Sequence, residues 1–240
     1  MSARCEIRYL GIVDYLQAWR LQAQYADAIA CNEVPPTLLL LQHPHTFTFG
    51  RRGKPEHLLW NAAECAANGV QVHWVDRGGD VTYHGPGQLV GYPLLPLGQV
   101  DAAGRLADAD YVGYVRRLER VLLGALATFG VTAHTQTGKT GVWVTPKGCS
   151  ESAKIAAIGI KVDAHGITRH GFALNINPDM RYWQGIVGCG LHGDKVTSLA
   201  ELLPIVPDFQ SVMIAVRDAF VNEFNLFFDE FSMEVLPNGC

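Results

Sequence analysis

The stretch Arg77-Gly78-Gly79-Asp80-Val81-Thr82-Tyr83-His84-Gly85-Pro86-Gly87-Gln88-Leu89-Val90-Gly91-Tyr92 constrains this chain more than any other. Five glycines and a proline in sixteen residues are too many for a strand or helix interior, because glycine loses the most backbone entropy on folding and proline lacks a donor. Strand-like runs nonetheless bracket it, Val70 to Val75 before and Tyr92 to Leu97 after. A glycine-rich connection lets backbone N–H groups come close to a ligand, and Arg77, Thr82, Tyr83, His84 and Gln88 add polar groups. The competing reading is a hairpin connection whose polar residues are incidental.

Short apolar runs and amphipathic segments surround this stretch. Ile7 to Val13 reads as a strand, and Asp14 can cap a helix with Leu16, Trp19, Leu21, Ala23, Ala26 and Ile29 on its apolar face, stopped by Pro35-Pro36. Thr37 to Leu41 reads as a buried strand, while Phe47 and Phe49 alternate with threonines as in a half-buried one. Arg51-Arg52-Gly53-Lys54 forms a basic turn, and Asn61 to Asn68 a short helix ended by Gly69. Asp108 to Phe129 carries the strongest helical period, with Tyr111, Tyr114 (or Val115), Leu118, Val121, Leu122 and Leu126 in its stripe. Val131 to Pro146 reads as two strands around Gly138-Lys139-Thr140-Gly141; Lys154 to Asp163 and His170 to Ile176 are strands turning at His165-Gly166. Asp208 to Asn225 is a last amphipathic helix, followed by an edge strand from Phe227 to Val235. Helices and strands do not alternate strictly, so the expectation is an α+β fold, a mixed β-sheet flanked by helices, in a single domain over residues 1–240.

With 48% hydrophobic and 18% charged residues, the chain can bury a substantial core. A net charge of -4 and a pI near 6.1 argue against nucleic-acid or membrane-surface binding, and no run of eighteen apolar residues could span a bilayer. The first residues lack a secretory apolar region and none of the six cysteines forms a C-x-x-C, which points to a cytoplasmic protein with reduced thiols.

Among those cysteines, Cys189 lies between glycines in Gly188-Cys189-Gly190, where the sulfur would be accessible. Cys31 and Cys65 fall in helical contexts as packing residues, Cys5 and Cys240 are terminal, and Cys149 follows Pro146-Lys147-Gly148 in a loop. A nucleophilic thiolate needs a nearby cation or helix N-terminus. Lys154, at the start of the apolar run Lys154 to Ile160, could supply the cation or simply snorkel at a strand end. The histidines His43, His45, His84, His165, His170 and His192 lack metal-site spacing, so no metal and no cofactor are expected. Gly138-Lys139-Thr140 echoes a phosphate loop, but His134 stands where that motif needs glycine.

Taken together, Arg77 to His84, Gly85-Pro86-Gly87-Gln88 and Tyr92 closely resemble the signature of the lipoyl(octanoyl) transferases, the octanoyl-carrier-protein:protein octanoyltransferases. Ala153-Lys154-Ile155, Ala157-Ile158-Gly159, His170-Gly171-Phe172-Ala173-Leu174-Asn175, Gly188-Cys189-Gly190, Gln42-His43-Pro44 and Thr48-Phe49-Gly50 extend the likeness over about residues 7–225. Two departures are Gly188, where the family often has proline, and a long Lys147–Ser152 insert.

The resemblance implies the biotin/lipoate protein ligase-like fold. It implies Cys189 as the nucleophile holding the acyl group and Lys154 as its activator. It further implies an acyl-substrate site lined by Arg77, Gly78, Gly79, Asp80, Val81, Thr82, Tyr83, His84, Ala157, Ile158, Gly159, Gly171, Phe172 and Ala173. Its donor is octanoyl-acyl carrier protein, and its acceptors are lipoyl domains of 2-oxoacid dehydrogenase complexes and the glycine cleavage H protein. Such a transfer needs no ATP, because a thioester is already activated. Two other readings compete: an ATP-dependent lipoate or biotin ligase, and a non-enzymatic module that binds a carrier protein.

Overall fold

A computed structural model of the chain describes residues 3–98, 100–101, 106, 108–187, 194–229 and 231–233. Its first half comprises β1 (Ala3–Arg4), β2 (Glu6–Ile12), α1 (Tyr15–Ala30), β3 (Thr37–Gln42), β4 (Thr46–Phe49), α2 (Ala62–Ala67), β5 (Gln71–Trp74), β6 (Val81–His84), β7 (Gln88–Leu94) and α3 (Tyr111–Ala127). There follow β8 (Ala133–His134), β9 (Val142–Val144), β10 (Ala153–Val162), β11 (Thr168–Asn175), β12 (Lys195–Val196), α4 (Leu199–Leu202), α5 (Phe209–Phe224), β13 (Leu226–Phe227) and β14 (Phe231–Met233).

A run of four leucines in one strand must be covered on both faces, and Leu38 to Leu41 of β3 is that run. Leu38 and Leu40 face a core built with Leu118, Val121 and Leu122 of α3 and Val216 and Phe220 of α5. Leu39 and Leu41 face the opposite way, onto Ala18, Ala26 and Ile29 of α1. Helices therefore flank both faces of one sheet, ordered β14-β2-β3-β7-β11-β10-β9-β8 with β12 beside β10. The β14–β2–β3 pairs are parallel and those from β3 through β7, β11, β10 and β9 to β8 antiparallel. This is the mixed sheet flanked by helices that the loose alternation of elements led one to expect. A second sheet, β5-β4-β6, closes over a smaller aromatic core of Phe47, Phe49 and Tyr83.

The glycine-rich stretch is not a hairpin. β6 pairs with β4 in the small sheet, whereas β7 pairs with β3 and β11 in the large one. Gly85-Pro86-Gly87 thus carries the chain from one sheet to the other. A glycine survives inside β7 because the Phe172 ring covers it: a Cβ at Gly91 would lie 2.1 Å from Phe172 Cζ. β4 is buried at all four positions rather than half-buried, since β4 is the central strand of its sheet and the Thr48 hydroxyl is taken up by Arg77.

Asp14 caps α1 as expected, accepting from the Leu16 and Gln17 amides. The buried stripe, however, is Tyr15, Ala18, Gln22, Ala26 and Ile29 rather than the one through Leu16, Trp19 and Ala23. Gln22 belongs there because its side chain accepts from the His170 amide at 2.7 Å. Tyr111 is exposed at the start of α3, whereas Tyr114 of the expected stripe lies in the core. The edge strand expected from Phe227 to Val235 is two short pieces, β13 on β1 and β14 on β2; residues 234 and 235 lie outside the described residues. Cys5 is buried despite its terminal position, its thiol pushed up to about 11 by burial, whereas Cys31 is exposed beyond the end of α1. Among the described residues, no helix is long and apolar enough to cross a membrane, and no group of three His, Cys, Asp or Glu could hold a metal.

Candidate active site

A cavity of about 930 Å³ opens between the two sheets, walled by β6 on one side and by β10 and β11 on the other. Its space comes from side-chain size at paired positions. Ala157 of β10 stands opposite Ala173 of β11, and Gly159 opposite Gly171. The intervening pair, Ile158 and Phe172, packs toward α3 by the two-residue alternation of a strand. At these two pairs the strands present nothing larger than a methyl group to the cavity.

The glycines also admit Arg77. A Cβ at Gly159 would stand 3.1 Å from Arg77 Cδ, and one at Gly50 would stand 2.8 Å from its Nη1. Arg77 is buried and donates through Nη2 to the Thr48 carbonyl at 2.6 Å and the Thr48 hydroxyl at 2.9 Å. Its Nη1 donates to the Gly78 carbonyl at 3.0 Å. The neighbouring Asp76 pairs with His170 at 2.8 Å, with Arg169 at 3.0 Å and with Lys161. Desolvation pushes the Asp76 carboxyl up, but the His170 and Lys161 hydrogen bonds outweigh it and hold it well below the usual carboxylate range.

Lys154 follows the first residue of β10, where a register shift against β9 falls between Lys154 and Ala156. It is buried rather than snorkelling, and its Nζ stands 4.8 Å from the centre of the Trp143 ring. Gly141, at φ +123, lies beside the lysine stem and close under the strand, since a Cβ there would stand 2.6 Å from the Ala156 carbonyl oxygen and 3.4 Å from Lys154 Cε. The Gly141 amide donates to the buried Glu119 of α3 at 3.1 Å, which holds this turn in place.

Of the residues expected at a substrate site, Arg77, Gly79, Asp80, Val81, Thr82 and His84 line the cavity from the glycine-rich stretch. From the large sheet, Lys154, Ala157, Ile158, Gly159, Gly171, Phe172 and Ala173 line it. Gly78 and Tyr83 are not among the lining residues. The strand alternation turns Tyr83 away, into the small core, where it stacks on Tyr182 at 5.2 Å and its hydroxyl meets His45 Nδ1 at 2.9 Å. Gly78 donates its amide to the Ile160 carbonyl, tying the loop to β10. Cys189 lies outside the described residues, as does Cys240. Cys5, Cys31, Cys65 and Cys149 are not among the cavity-lining residues.

A family model described as the lipoyl protein ligase A/B catalytic domain matches residues 14–221. This chain belongs to that family. Relatives named octanoyltransferase include one from Chloroflexus aggregans, 42% identical over 93% of this chain and 94% of the relative. Another, from Acidobacterium capsulatum, is 46% identical over 80% of this chain and 77% of the relative. The structure resembles the bipartite lipoate protein ligase of Thermoplasma acidophilum, with a TM-score of 0.72 at 16% identity over 96% of this chain and 87% of that one. A lipoate-protein ligase A bound with ATP superposes with a TM-score of 0.67 at 14% identity, over 97% of this chain and 89% of that one. At such identities the likeness is one of fold: the mixed sheet flanked by helices is the lipoate protein ligase fold.

Several lining residues of this ligase A/B family member escaped the sequence reading. Tyr15, Arg52, Lys54, His57, Lys139 and His170 all reach the cavity. Lys139 pairs with Asp194 at 2.7 Å and stands 5.0 Å from the same Trp143 ring as Lys154. Its sequence context suggested only a degenerate phosphate loop. Glu119 had a weak signal, an acid directly beside Leu118 in the buried stripe of α3.

Proposed function

We propose that this chain transfers an octanoyl (or lipoyl) group from acyl carrier protein to a lysine of lipoyl domains, those of 2-oxoacid dehydrogenase complexes and of the glycine cleavage H protein. The observation that carries this reading is the pairing of octanoyltransferase relatives with a cavity floored by Ala157, Gly159, Gly171 and Ala173 and bordered by Lys154. A C8 chain is apolar and slender. Burying it contributes about 0.8 kcal/mol per methylene, and a floor with nothing larger than a methyl group leaves it room.

The chemistry divides into two steps of similar kind. The Cys189 thiolate attacks the octanoyl carbonyl, and the bond to the carrier sulfur breaks; the departing thiolate takes a proton from Lys154. The neutral amine of the acceptor lysine then attacks the Cys189 thioester. The amide bond forms, Cys189 leaves as thiolate, and the surplus amine proton passes to Lys154. Protons and electron pairs balance without ATP, because the donor is already a thioester. Support for Cys189 comes from its sequence context, and for Lys154 from its buried place on the cavity wall.

Intact-mass measurement after incubation with octanoyl carrier protein tests the reading. One octanoyl adduct is expected, labile to hydroxylamine and missing in Cys189→Ala. An adduct mapped to Cys149, or turnover that requires ATP, would overturn it.

A further inference from the structure

His84 ends β6 in the cavity wall, and the hydrogen bonds behind it have a polarity that can be read from their far end. The Thr197 carbonyl can only accept, so Asn175 Nδ2, at 3.0 Å, donates to it. Asn175 Oδ1 then accepts from Gln88 Nε2 at 2.8 Å. The same Gln88 Nε2 donates to the Tyr83 carbonyl at 3.1 Å. Gln88 Oε1 is left facing His84 Nδ1 at 2.8 Å, and an amide oxygen only accepts. His84 Nδ1 therefore carries the proton. Burial, with His43 nearby, holds the ring neutral by pulling its pKa well below the ordinary value, so Nε2 bears a lone pair.

No described residue makes a hydrogen bond to that Nε2. His43 packs edge-on to the His84 ring at 5.6 Å and Tyr15 stacks on it at 5.8 Å. Both His43 nitrogens are engaged: Nδ1 donates to the Val13 carbonyl and Nε2 accepts from the Tyr92 hydroxyl, each at 2.7 Å. The charges felt by His84 are those of His43, Arg77 and His170. His84, Gln88, Asn175 and Thr197 are all buried, on three strands and a loop. A buried polar chain costs desolvation unless every member is satisfied. Here every donor and acceptor described above is engaged except the nitrogen at the cavity.

We propose that Gln88 and Asn175 are positioning residues that hold His84 in its Nδ1–H tautomer, so that Nε2 accepts a hydrogen bond from an N–H donor on a reacting arm. The inference rests on the acyl-transfer reading above. Two arms carry such a donor: the acceptor lysine, through its amine, and the carrier's thiol-bearing arm, through its amide. An amine held by one N–H at His84 has its own lone pair free for the acyl carbonyl. No proton is transferred to the ring.

The test combines nitrogen-15 spectra of the full-length protein with the two half-reactions measured separately. With the His84 resonance assigned by its loss in His84→Gln, the parent should show a protonated Nδ1 and an unprotonated Nε2 near pH 7. Gln88→Leu should populate the Nε2–H tautomer and slow one or both half-reactions roughly tenfold, the worth of one neutral hydrogen bond. Gln88→Glu keeps an acceptor for Nδ1–H and should restore the tautomer and part of the rate. A loss confined to transfer from octanoyl-enzyme to the lipoyl domain assigns the lysine amine; a loss confined to acyl-enzyme formation assigns the carrier amide. An Nε2–H tautomer in the parent overturns the proposal, as does slowing without a change of tautomer or a changed tautomer without slowing. Should Gln88→Leu fail to fold, the parent spectrum and Gln88→Glu decide. Absence of any octanoyl adduct in the parent would instead sink the acyl-transfer reading, and the tautomer is read without substrate.

Discussion

Ala157→Leu should convert the cavity from one that favours eight-carbon chains to one that favours shorter chains. Ala157 is half-buried on the cavity floor, opposite Ala173, and the space before it is open rather than filled. Leucine adds three carbons there. If each displaces one methylene of the acyl chain, the loss is about 0.8 kcal/mol per methylene, or roughly 2.4 kcal/mol in all. At about 1.4 kcal/mol per factor of ten, octanoyl transfer should fall by roughly 50-fold relative to a chain that stops short of the leucine. The fold should change little, because no packed neighbour has to move. The assay is kcat/KM with butanoyl, hexanoyl and octanoyl carrier protein, alongside a thermal melt. If all three substrates slow in parallel in a variant with the parent's melting temperature, the acyl chain does not lie over Ala157 and the reasoning is refuted.

Burial pushes His43 down to about 4 and also lowers His84 and His170, so between about pH 6.5 and 4 the folded chain binds fewer protons than the unfolded one. Stability should therefore fall on acidification through that window, by up to about 1.4 kcal/mol per pH unit for each such histidine; urea midpoints unchanged from pH 7 to 5 would contradict this. Gly79 lines the cavity at φ +88, so Gly79→Val should cost about 1–2 kcal/mol of stability and far more activity than unfolding explains; near-normal turnover would reduce the stretch to scaffolding. Lys154→Ala should move iodoacetamide alkylation of Cys189 to higher pH by at least about one unit, while Lys154→Arg should partly keep alkylation and lose transfer, since guanidinium does not release a proton. Overlaid profiles for parent and Lys154→Ala would remove Lys154 as the activator.

Local chemistry made much of this protein legible without coordinates. The cap at Asp14, the short helix from Asn61 to Asn68, the buried run Thr37 to Leu41 and the helical period of Tyr114 to Leu126 depend on residues a few positions apart, and each element formed where that chemistry placed it. The motif residues of the family were readable for the same reason, being contiguous in the chain. The reading failed where a residue's environment is supplied from afar. Gln22 looks like a solvent residue until the left-handed backbone of His170, at φ 56, needs an acceptor. Cys5 looks terminal until Phe227 binds its amide and the α3–α5 core closes over it.

The sequence by itself determined where the longer helices and the central strands form, and that polar groups crowd a glycine-rich stretch. Tertiary structure alone decided that β6 and β7, four residues apart, join different sheets, because pairing partners β4, β3 and β11 come from elsewhere in the chain. It decided that Thr82 and His84 face a cavity while Tyr83 does not, since alternation specifies opposite faces but not which one is enclosed. It also decided that Ala157 meets Ala173 and Gly159 meets Gly171. Register between strands is a long-range quantity, and here it is what turns four small residues into a space large enough for a substrate.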